Sequence, residues 1–296
     1  MSNIICPLCK RCKGKFSFTG KDLLYNINGR FDLFECKNCG LVFLNPIPSE
    51  DDLKDYYPKD YCDEYGRLTK ILVEIMEKGR AKKIVKISRI EAKILDVGCG
   101  RGYLLRALNL LGARNLYGVE PDPDAAKLAS RFGVIKVSTF LNAQLKDNSF
   151  DIVIFKHSLE HIPNIEKAIE KTKRILRHDG MVVVILPNSN SWERRIFGKY
   201  WRGFDVPRHI YTFNPFNLDL LLRNNGFRIK EMRYGFTPND WIMSIQFYLS
   251  DKLPSLKPFF SINNPFLLML FAPLSIIQSL AMKSGRMEIT AQRCIN

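Results

Sequence analysis

The sequence predicts an α/β fold built on a doubly wound, mostly parallel sheet. Two observations support this prediction. From residue 92 onwards, short apolar segments of strand length alternate with segments of helical length, which is the pattern of parallel strands joined by crossover helices. The first apolar segment, Lys93–Val97, is followed directly by the glycine-rich turn Gly98–Gly102, as expected where a strand ends and a helix begins.

The composition is that of a folded globular protein. The chain has 296 residues, of which 46% are hydrophobic and 25% are charged, and its formal net charge is +15. This length allows one large domain with an appendage, or two small domains. The positive charge favours an anionic partner such as nucleic acid, a phosphorylated substrate or a membrane surface, although it also serves solubility.

Residues 1–48 are predicted to form a small zinc-ribbon-like segment. Two C-x-x-C pairs supply the four thiolates that a tetrahedral structural zinc prefers, and the candidate ligands are Cys6, Cys9, Cys36 and Cys39. Cys12 is an alternative to Cys9. Since Cys6 lies where a signal peptide would need its apolar stretch, we expect a reducing, cytoplasmic location, in which closely spaced cysteines bind metal more often than they form disulfides.

Residues 49–91 are predicted to form a linker and a covering helix. Apolar residues recur at intervals of three and four between about Arg67 and Lys86, with lysines at the positions between them. This spacing predicts an amphipathic helix that packs on the domain beginning at residue 92.

The glycine-rich turn predicts a site for a nucleoside-containing ligand. Gly98, Gly100 and Gly102 let the backbone approach a ligand at the N-terminus of the next helix. Glu120 ends the next apolar run and can accept hydrogen bonds from ribose hydroxyls. The spacing is not the G-x-G-x-x-G of dinucleotide sites. Asp96 precedes the turn, which suits a cationic sulfonium ligand better.

The run Asp96–Gly102, followed by Val119–Asp122, resembles the class I S-adenosylmethionine-dependent methyltransferases. Phe150–Phe155 and Leu176–Asn188 resemble the fourth and fifth strands of that family. The resemblance implies a Rossmann-like sheet of seven strands, of which the last two are antiparallel, and S-adenosylmethionine as cofactor. It assigns cofactor binding to Asp96, Gly98, Cys99, Gly100, Gly102, Glu120, Pro121, Asp122, Phe140, Leu141 and Lys156.

Histidines follow the predicted fourth strand in the run His157-Ser-Leu-Glu-His161. The carboxyl ends of strands face the ligand crevice in open parallel sheets, so His157 or His161 is a candidate base for an acceptor hydroxyl. The run also resembles the Glu-x-x-Glu-His motif implicated in divalent metal binding in ubiquinone-pathway O-methyltransferases. Metal binding by His157, Glu160 and His161 is therefore an alternative, and purely structural hydrogen bonding is a third.

A loop rich in aromatic and charged residues follows the predicted fifth strand. Trp201, Asp205 and Arg208 are candidate substrate contacts, since Arg208 could bind a phosphate or carboxylate through two parallel hydrogen bonds. His209 is a further candidate base. The alternative is a cluster that only packs the loop. The segment 205–213 resembles a methyltransferase subgroup of sugar and cell-envelope pathways.

The predicted methyltransferase domain, residues 92–296, contains a hydrophobic insertion at 235–286. Phe266–Ala281 has only three polar side chains and is interrupted by Pro273, so it is too short and kinked to be assigned as a transmembrane helix. One interpretation is a helical hairpin buried against the domain or in a homodimer. The other is peripheral contact of residues 241–282 with a membrane.

These features predict a methyltransferase of cell-envelope biosynthesis, in the cytoplasm or on the cytoplasmic face of the membrane. The expected substrate is a small molecule or a lipid-linked glycan. Methylation of ribosomal or transfer RNA is one alternative that the net charge would suit. Nucleic acid is less favoured because the aromatic residues cluster in one loop instead of interleaving with a basic track. A non-catalytic zinc-ribbon adaptor that binds the cofactor is the other alternative.

Overall fold

The computed structural model describes residues 4–11, 14–58, 67–89 and 91–294, and within its first long helix it describes side chains from Val73 onwards. The strands in these ranges are β1 Gly14–Gly20, β2 Phe31–Cys36, β3 Val42–Leu44, β4 Ile94–Val97, β5 Leu116–Glu120, β6 Val134–Val137, β7 Phe150–Lys156, β8 Leu176–Pro187, β9 Tyr211–Thr212, β10 Phe227–Tyr234 and β11 Arg286–Arg293. The α-helices are α1 Glu50–Lys54, α2 Arg67–Ile87, α3 Tyr103–Leu110, α4 Pro123–Ala129, α5 Ile165–Ile175, α6 Trp192–Phe197, α7 Pro215–Asn224, α8 Pro238–Lys252 and α9 Pro265–Leu280.

A seven-stranded sheet in the order β10-β11-β8-β7-β4-β5-β6 positions the site. Strands β4 to β8 run parallel to their neighbours among themselves, whereas β11 is antiparallel to both β8 and β10. The predicted fold class is confirmed, including the antiparallel last pair. Strand β4 lies between β5 and β7, where the chain order reverses, so the ligand crevice is expected at the carboxyl end of β4.

Two helix starts are fixed by capping side chains. The Asp122 side chain accepts hydrogen bonds from the backbone N–H groups of Asp124 and Ala125 at the start of α4, and Asn214 caps α7 in the same way. Helix α4 ends at Ala129. Because capping side chains satisfy N–H groups that the helix itself cannot, they fix where each helix begins.

The N-terminal segment forms a second, antiparallel sheet in the order β1-β2-β3-β9. Its last strand, Tyr211–Thr212, comes from the loop after β8 and pairs with Val42 and Phe43. Phe43, Tyr211 and Phe213 belong to one hydrophobic cluster with the interior of the large sheet. The cysteine-containing segment is therefore packed into the catalytic domain, and the limits predicted at residues 48 and 91 remain predictions.

The insertion between β10 and β11 consists of α8, a 3₁₀ turn at Pro254–Phe259 and α9. The two helices pack against each other, and Pro273 lies inside α9. None of the helices in the described ranges has both the length and the apolar character needed to cross a bilayer.

Candidate active site

The turn after β4 uses its three glycines in two different ways. All three adopt positive φ angles, at +68°, +52° and +78° for Gly98, Gly100 and Gly102. A Cβ on Gly98 would lie 2.9 Å from Cβ of Ser158, and one on Gly102 would lie 2.8 Å from Cα of Ala129. At Gly100 a Cβ would meet none of the described atoms within 4 Å. The outer glycines therefore permit close packing, and the middle one leaves its backbone open to a ligand.

The side chain of Glu120, at the end of β5, holds this turn in place by hydrogen bonding. Its Oε2 accepts a hydrogen bond from the Gly100 N–H at 2.7 Å and its Oε1 accepts one from the Asp122 N–H at 3.0 Å. Burial raises the pKa of Glu120, and the two N–H donors oppose that shift. Each carboxylate oxygen can accept a second hydrogen bond, so Glu120 still has acceptor positions for ribose hydroxyls. Pro121 and Asp122 are exposed beside it.

Asp96 has a buried carboxylate near the end of β4, just before the glycine-rich turn. It is fully buried, and neither oxygen has a hydrogen-bond partner among the described residues. Burial raises the pKa of Asp96 to about 7, with the nearby Lys156 opposing the rise. A buried carboxylate without a partner is costly. The position therefore fits the ammonium group of an amino-acid moiety such as that of S-adenosylmethionine.

Helix α2 contributes charged residues that the sequence analysis did not assign to the site. Glu77 is buried, and its Oε1 lies 3.0 Å from Nζ of Lys156 and 2.5 Å from an Arg80 guanidinium nitrogen. Burial alone would raise the pKa of Glu77, but the charges of Lys156 and Arg80 outweigh it and lower the pKa. Lys156, a predicted cofactor contact, is thus tied to the covering helix. The one signal of this arrangement in the sequence is the three-residue spacing of Glu77 and Arg80, which places the two side chains next to each other on a helix.

Two predicted cofactor residues have side chains that pack in the interior. Cys99 is buried, and a Cβ on Gly118 would lie 2.6 Å from its sulfur. Its N–H donates to the carbonyl of Val119. Phe140 is buried with its ring edge-to-face on Phe155, at 5.3 Å between centroids. Cys99 therefore corrects the prediction, because neither its thiol nor its amide is directed to a ligand.

The loop that contains Phe140 and Leu141 is anchored by a lysine that sequence reasoning missed. Nζ of Lys171 donates to the carbonyl oxygens of Phe140, Leu141 and Ala143, at 2.5, 3.0 and 2.6 Å. Burial lowers the pKa of Lys171. Three carbonyl acceptors on one ammonium fix the backbone of this loop, so its shape does not depend on a bound ligand.

The predicted histidines gather around Glu160 at the carboxyl end of β7. Glu160 lies in the 3₁₀ turn Leu159–His161 and is buried. Its Oε1 is 3.5 Å from Nδ1 of His157 and 3.9 Å from Nε2 of His209. The rings of His161 and His209 meet edge-to-face, with their centroids 4.8 Å apart. Because Ser158 packs on Gly98, the histidine cluster adjoins the glycine turn.

Tyr57, which follows α1, completes this cluster. Its hydroxyl lies 2.8 Å from Nδ1 of His161. The sequence analysis did not assign Tyr57 a site role, because nothing local to residues 56–58 indicates a contact with a histidine 104 positions away. The tyrosine therefore joins the N-terminal part of the chain to the candidate base.

The cluster favours neutral imidazoles and a protonated carboxyl group. Burial raises the pKa of Glu160 to about 8 and lowers the pKa of His209 to about 4. The carbonyl of Gly203 lies 2.8 Å from Nδ1 of His209, which places the proton on Nδ1 and leaves Nε2 as the acceptor. Both Glu160 side-chain oxygens and Oδ2 of Asp205 are without a hydrogen-bond partner in the described part of the chain. Nε2 of His209 can therefore accept a proton, and the Glu160 and Asp205 oxygens can coordinate a cation.

Arg208 corrects the predicted substrate clamp. Its guanidinium is fully buried and donates to Asp22 at 2.8 and 2.9 Å, to Asp205 at 2.7 Å and to the carbonyl of Tyr56 at 2.9 Å. Burial opposes ionisation of Asp205, but Arg202 and Arg208 outweigh it and hold its pKa below the usual range. Arg208 therefore joins the N-terminal segment to the loop after β8 and is not free to bind an anionic substrate.

Trp201 and Asp205 line a cavity of about 250 Å³. Trp201 is buried and packs edge-to-face on Phe204. The cavity lies between the N-terminal sheet and α8, and its charged lining consists of Lys21, Arg30, Lys199, Asp205 and Asp251. Since Asp205 also adjoins His209, at 3.9 Å, the cavity borders the histidine cluster.

The four predicted zinc ligands lie together. The sulfur atoms of Cys6 and Cys39 are 3.7 Å apart and those of Cys9 and Cys36 are 3.6 Å apart, and all four lie within 4.8 Å of one another. A tetrahedral site with zinc–sulfur bonds of about 2.3 Å has sulfur–sulfur edges of about 3.8 Å, so the donor set fits zinc. The alternative ligand, Cys12, lies outside the described residues.

Comparisons with known proteins agree with this geometry. A family model described as a methyltransferase domain matches residues 60–231. A ubiquinone biosynthesis O-methyltransferase of Hydrogenovibrio crunogenus is 31% identical over 187 residues, covering 58% of this chain and 75% of that protein.

Solved structures match the fold at low sequence identity. The 1,6-didemethyltoxoflavin-N1-methyltransferase of Burkholderia thailandensis superposes with a TM-score of 0.53 at 15% identity, covering 91% of this chain and 98% of that one. A methyltransferase from Archaeoglobus fulgidus gives a TM-score of 0.52 at 18% identity, with 74% of this chain and 94% of that one covered.

Proposed function

The chain belongs to the class I S-adenosylmethionine-dependent methyltransferases, and on this premise we propose that it methylates a hydroxyl oxygen of a small-molecule or lipid-linked glycan in cell-envelope biosynthesis. The observation that supports an oxygen acceptor is the buried cluster of Glu160, His161 and His209 beside the glycine turn. Methylation of a hydroxyl needs a group that removes its proton. The relative in Hydrogenovibrio crunogenus is likewise named an O-methyltransferase.

The proposed reaction is an in-line displacement. S-adenosylmethionine would supply the methyl group as a sulfonium, and Asp96 and Glu120 would hold its ammonium group and its ribose. The acceptor oxygen forms a bond to the methyl carbon while the carbon–sulfur bond breaks and its electron pair stays on sulfur. The hydroxyl proton passes to Nε2 of His209, or to the imidazole of His161. Positioning lowers most of the barrier of such a displacement.

The same side chains also fit a divalent cation. Glu160, His161 and His209 each offer one ligand atom within 4.8 Å of the others, and neutral imidazole with carboxylate is a donor set that suits zinc and other first-row ions. A bound ion would polarise the acceptor oxygen. The proposed acceptor is a hydroxyl group in both cases, whether the cluster removes its proton or binds a cation.

The acceptor is proposed to carry a negative charge. The charged lining of the cavity has three basic residues, Lys21, Arg30 and Lys199, against two acidic ones, Asp205 and Asp251, and the whole chain carries a formal charge of +15. Phosphorylated sugars, nucleotide-linked sugars and lipid-linked glycans meet this requirement. RNA meets it as well and is the alternative acceptor.

The function is tested by following radiolabelled methyl groups from S-adenosylmethionine into separate acceptor pools. The pools are soluble nucleotide sugars, a membrane fraction and total RNA, and the double variant His161→Gln with His209→Gln serves as the inactive control. We expect label in sugar or membrane-borne glycan, recovered as an O-methyl ether. Label in RNA alone would reject the proposed acceptor, and donor binding without any transfer would favour the adaptor alternative.

The four cysteines are proposed to bind one structural zinc ion. Such a closed site orders its segment and takes no part in chemistry. We expect about one zinc per chain in the purified protein, lost in Cys36→Ser together with a lower melting temperature, since metal binding contributes folding free energy. Cys294→Ser, which changes a cysteine remote in sequence from the cluster, is the control. Full zinc content in Cys36→Ser would contradict the assignment.

A further inference from the structure

Helix α9 turns its polar side chains inward. Gln278 is fully buried, where its Oε1 accepts a hydrogen bond from Nε1 of Trp241 and its Nε2 donates to Glu193, both at 2.6 Å. Ser275 is also buried and accepts from the Thr237 N–H at 2.6 Å. Ser279 donates to the carbonyl of Tyr234. All the polar side chains between residues 266 and 281 are therefore used to attach the helix to the domain.

The apolar side chains of α9 face outward. Six large apolar residues are between 52% and 78% exposed, namely Phe266, Met269, Leu270, Ile276, Ile277 and Leu280. Their spacing of three and four residues places them on one face of the helix, in a stripe about 21 Å long at 1.5 Å per residue. Phe259, in the adjoining 3₁₀ turn, is also mostly exposed. We name these seven residues the apolar stripe.

The segment that carries the stripe is free of negative charge. Between residues 252 and 287 the sequence contains no Asp or Glu, but it contains four basic residues, namely Lys252, Lys257, Lys283 and Arg286. Lys252 and Arg286 lie 3.8 and 3.7 Å from carboxylate oxygens of Asp251 and Asp240, so Lys257 and Lys283 carry the flanking charge. An apolar face flanked by basic residues is complementary to an anionic lipid surface, where burial of apolar area and attraction to headgroups act together. A symmetric contact between two copies would bring like charges together without acidic partners from this segment.

We propose that the apolar stripe binds the surface of a membrane that contains anionic lipids, with α9 lying in the interface plane. The absence of a membrane-crossing helix in the described ranges agrees with a helix that lies on the bilayer. The inference deepens the proposed function, on which it rests for the idea of a lipid-linked acceptor. Binding of the stripe would hold the enzyme at the surface where such an acceptor is found.

The test uses the full chain and sedimentation with phospholipid vesicles. Vesicles of phosphatidylcholine alone are compared with vesicles that also contain phosphatidylglycerol. We expect binding to the anionic vesicles, weakened about a hundredfold by Leu270→Asp with Ile277→Asp and about fivefold by Lys257→Gln. Leu110→Asp changes an equally exposed leucine at the end of α3 and should bind as the native chain does. Circular dichroism and calorimetric binding of S-adenosylmethionine confirm that each variant is folded.

Results of two kinds, on vesicle binding and on the oligomeric state, would overturn the inference. One is the lack of binding of the native chain to anionic vesicles, or binding that the double substitution leaves unchanged. The other is a native dimer in light scattering that the double substitution converts to a monomer, which would identify a second copy as the occupant of the stripe. Vesicle binding without methyl transfer to any hydroxyl acceptor would instead reject the proposed function and support the proposed membrane contact of the apolar stripe.

Discussion

The two halves of the site are held in place by different means. The donor half, residues 94–122, is one continuous segment. In it, the Glu120 side chain accepts hydrogen bonds from the backbone N–H of Gly100 in the glycine turn and from that of Asp122 just after β5. The acceptor half combines Tyr57, the run His157–His161 and the loop 205–209, and it is held by contacts between side chains. The donor half therefore depends on local backbone geometry, whereas the acceptor half depends on long-range packing.

This difference determines what a substitution should do in each half. In the donor half the main group without a partner in the described part of the chain is Asp96, which a cationic ligand can satisfy. The acceptor half holds several buried groups that can share protons, and such networks lose function or stability when one member is removed. Acceptor-half variants should therefore impair turnover with intact donor binding, and donor-half variants should alter donor affinity first.

The largest expected effect is on turnover in the acceptor half. Replacing both candidate bases, in the double variant His161→Gln with His209→Gln, should lower kcat by about 100- to 10,000-fold, the usual contribution of general acid–base catalysis. The affinity for S-adenosylmethionine, measured by calorimetry, should stay within about twofold of native in a separate half of the site. His178→Gln changes an exposed histidine and should leave both quantities unchanged. Equal loss of kcat and donor affinity would show that the halves are not separable.

The next effect concerns the stability of the acceptor half. Arg208→Leu leaves the buried carboxylates of Asp22 and Asp205 without their shared cation, which should lower the free energy of unfolding by about 3–5 kcal/mol. Arg223→Leu removes an ion pair to Asp219 that is largely exposed on the arginine side and should cost about 0–1 kcal/mol. Urea denaturation measures both. Similar losses for the two variants would contradict the structural role of Arg208.

The same difference explains how much of the site the sequence could predict. The donor half was predicted from one segment because Asp96, the three glycines and Glu120 lie close in sequence at the ends of two apolar strands. The large sheet was predicted for the same reason, since each strand carries its own apolar pattern. Lys171 and Glu77 were missed, because the groups that connect them to the site, the carbonyls near Phe140 and the ammonium of Lys156, lie 28 or more positions away.

Arg208 shows why the acceptor half was predicted only in part. The sequence displays a basic residue in an aromatic loop, and this pattern suits a substrate clamp. It does not reveal that Asp22, 186 positions away, neutralises the guanidinium inside the protein. Likewise, Tyr211–Thr212 is a strand of only two residues, which is too short for a sequence pattern to predict. It forms a strand because it pairs with the edge of β3. The sequence shows which residue types are present, but it does not show which residues pair with one another in the fold.

The smallest expected effect is a pH dependence of donor affinity that belongs to the donor half alone. Burial raises the pKa of Asp96 to about 7, so below that pH the free protein must lose a proton from Asp96 to pair with an ammonium group. The affinity for S-adenosylmethionine should therefore fall by about fivefold between pH 7 and pH 6, within a range where α-amino groups stay protonated. Asp96→Asn should remove this slope in calorimetric titrations.

Stability should change with pH in the opposite direction. A carboxyl group whose pKa is higher in the folded chain than in the unfolded chain destabilises the folded state as pH rises from about 4 to about 7, because the buried group must ionise. Asp96→Asn should therefore be more stable than the native chain at pH 8 but bind the donor more weakly. If the native donor affinity were flat between pH 6 and pH 7, the ammonium would have to bind elsewhere. The lysine–glutamate contact between β7 and α2 would then become the first region to probe by substitution.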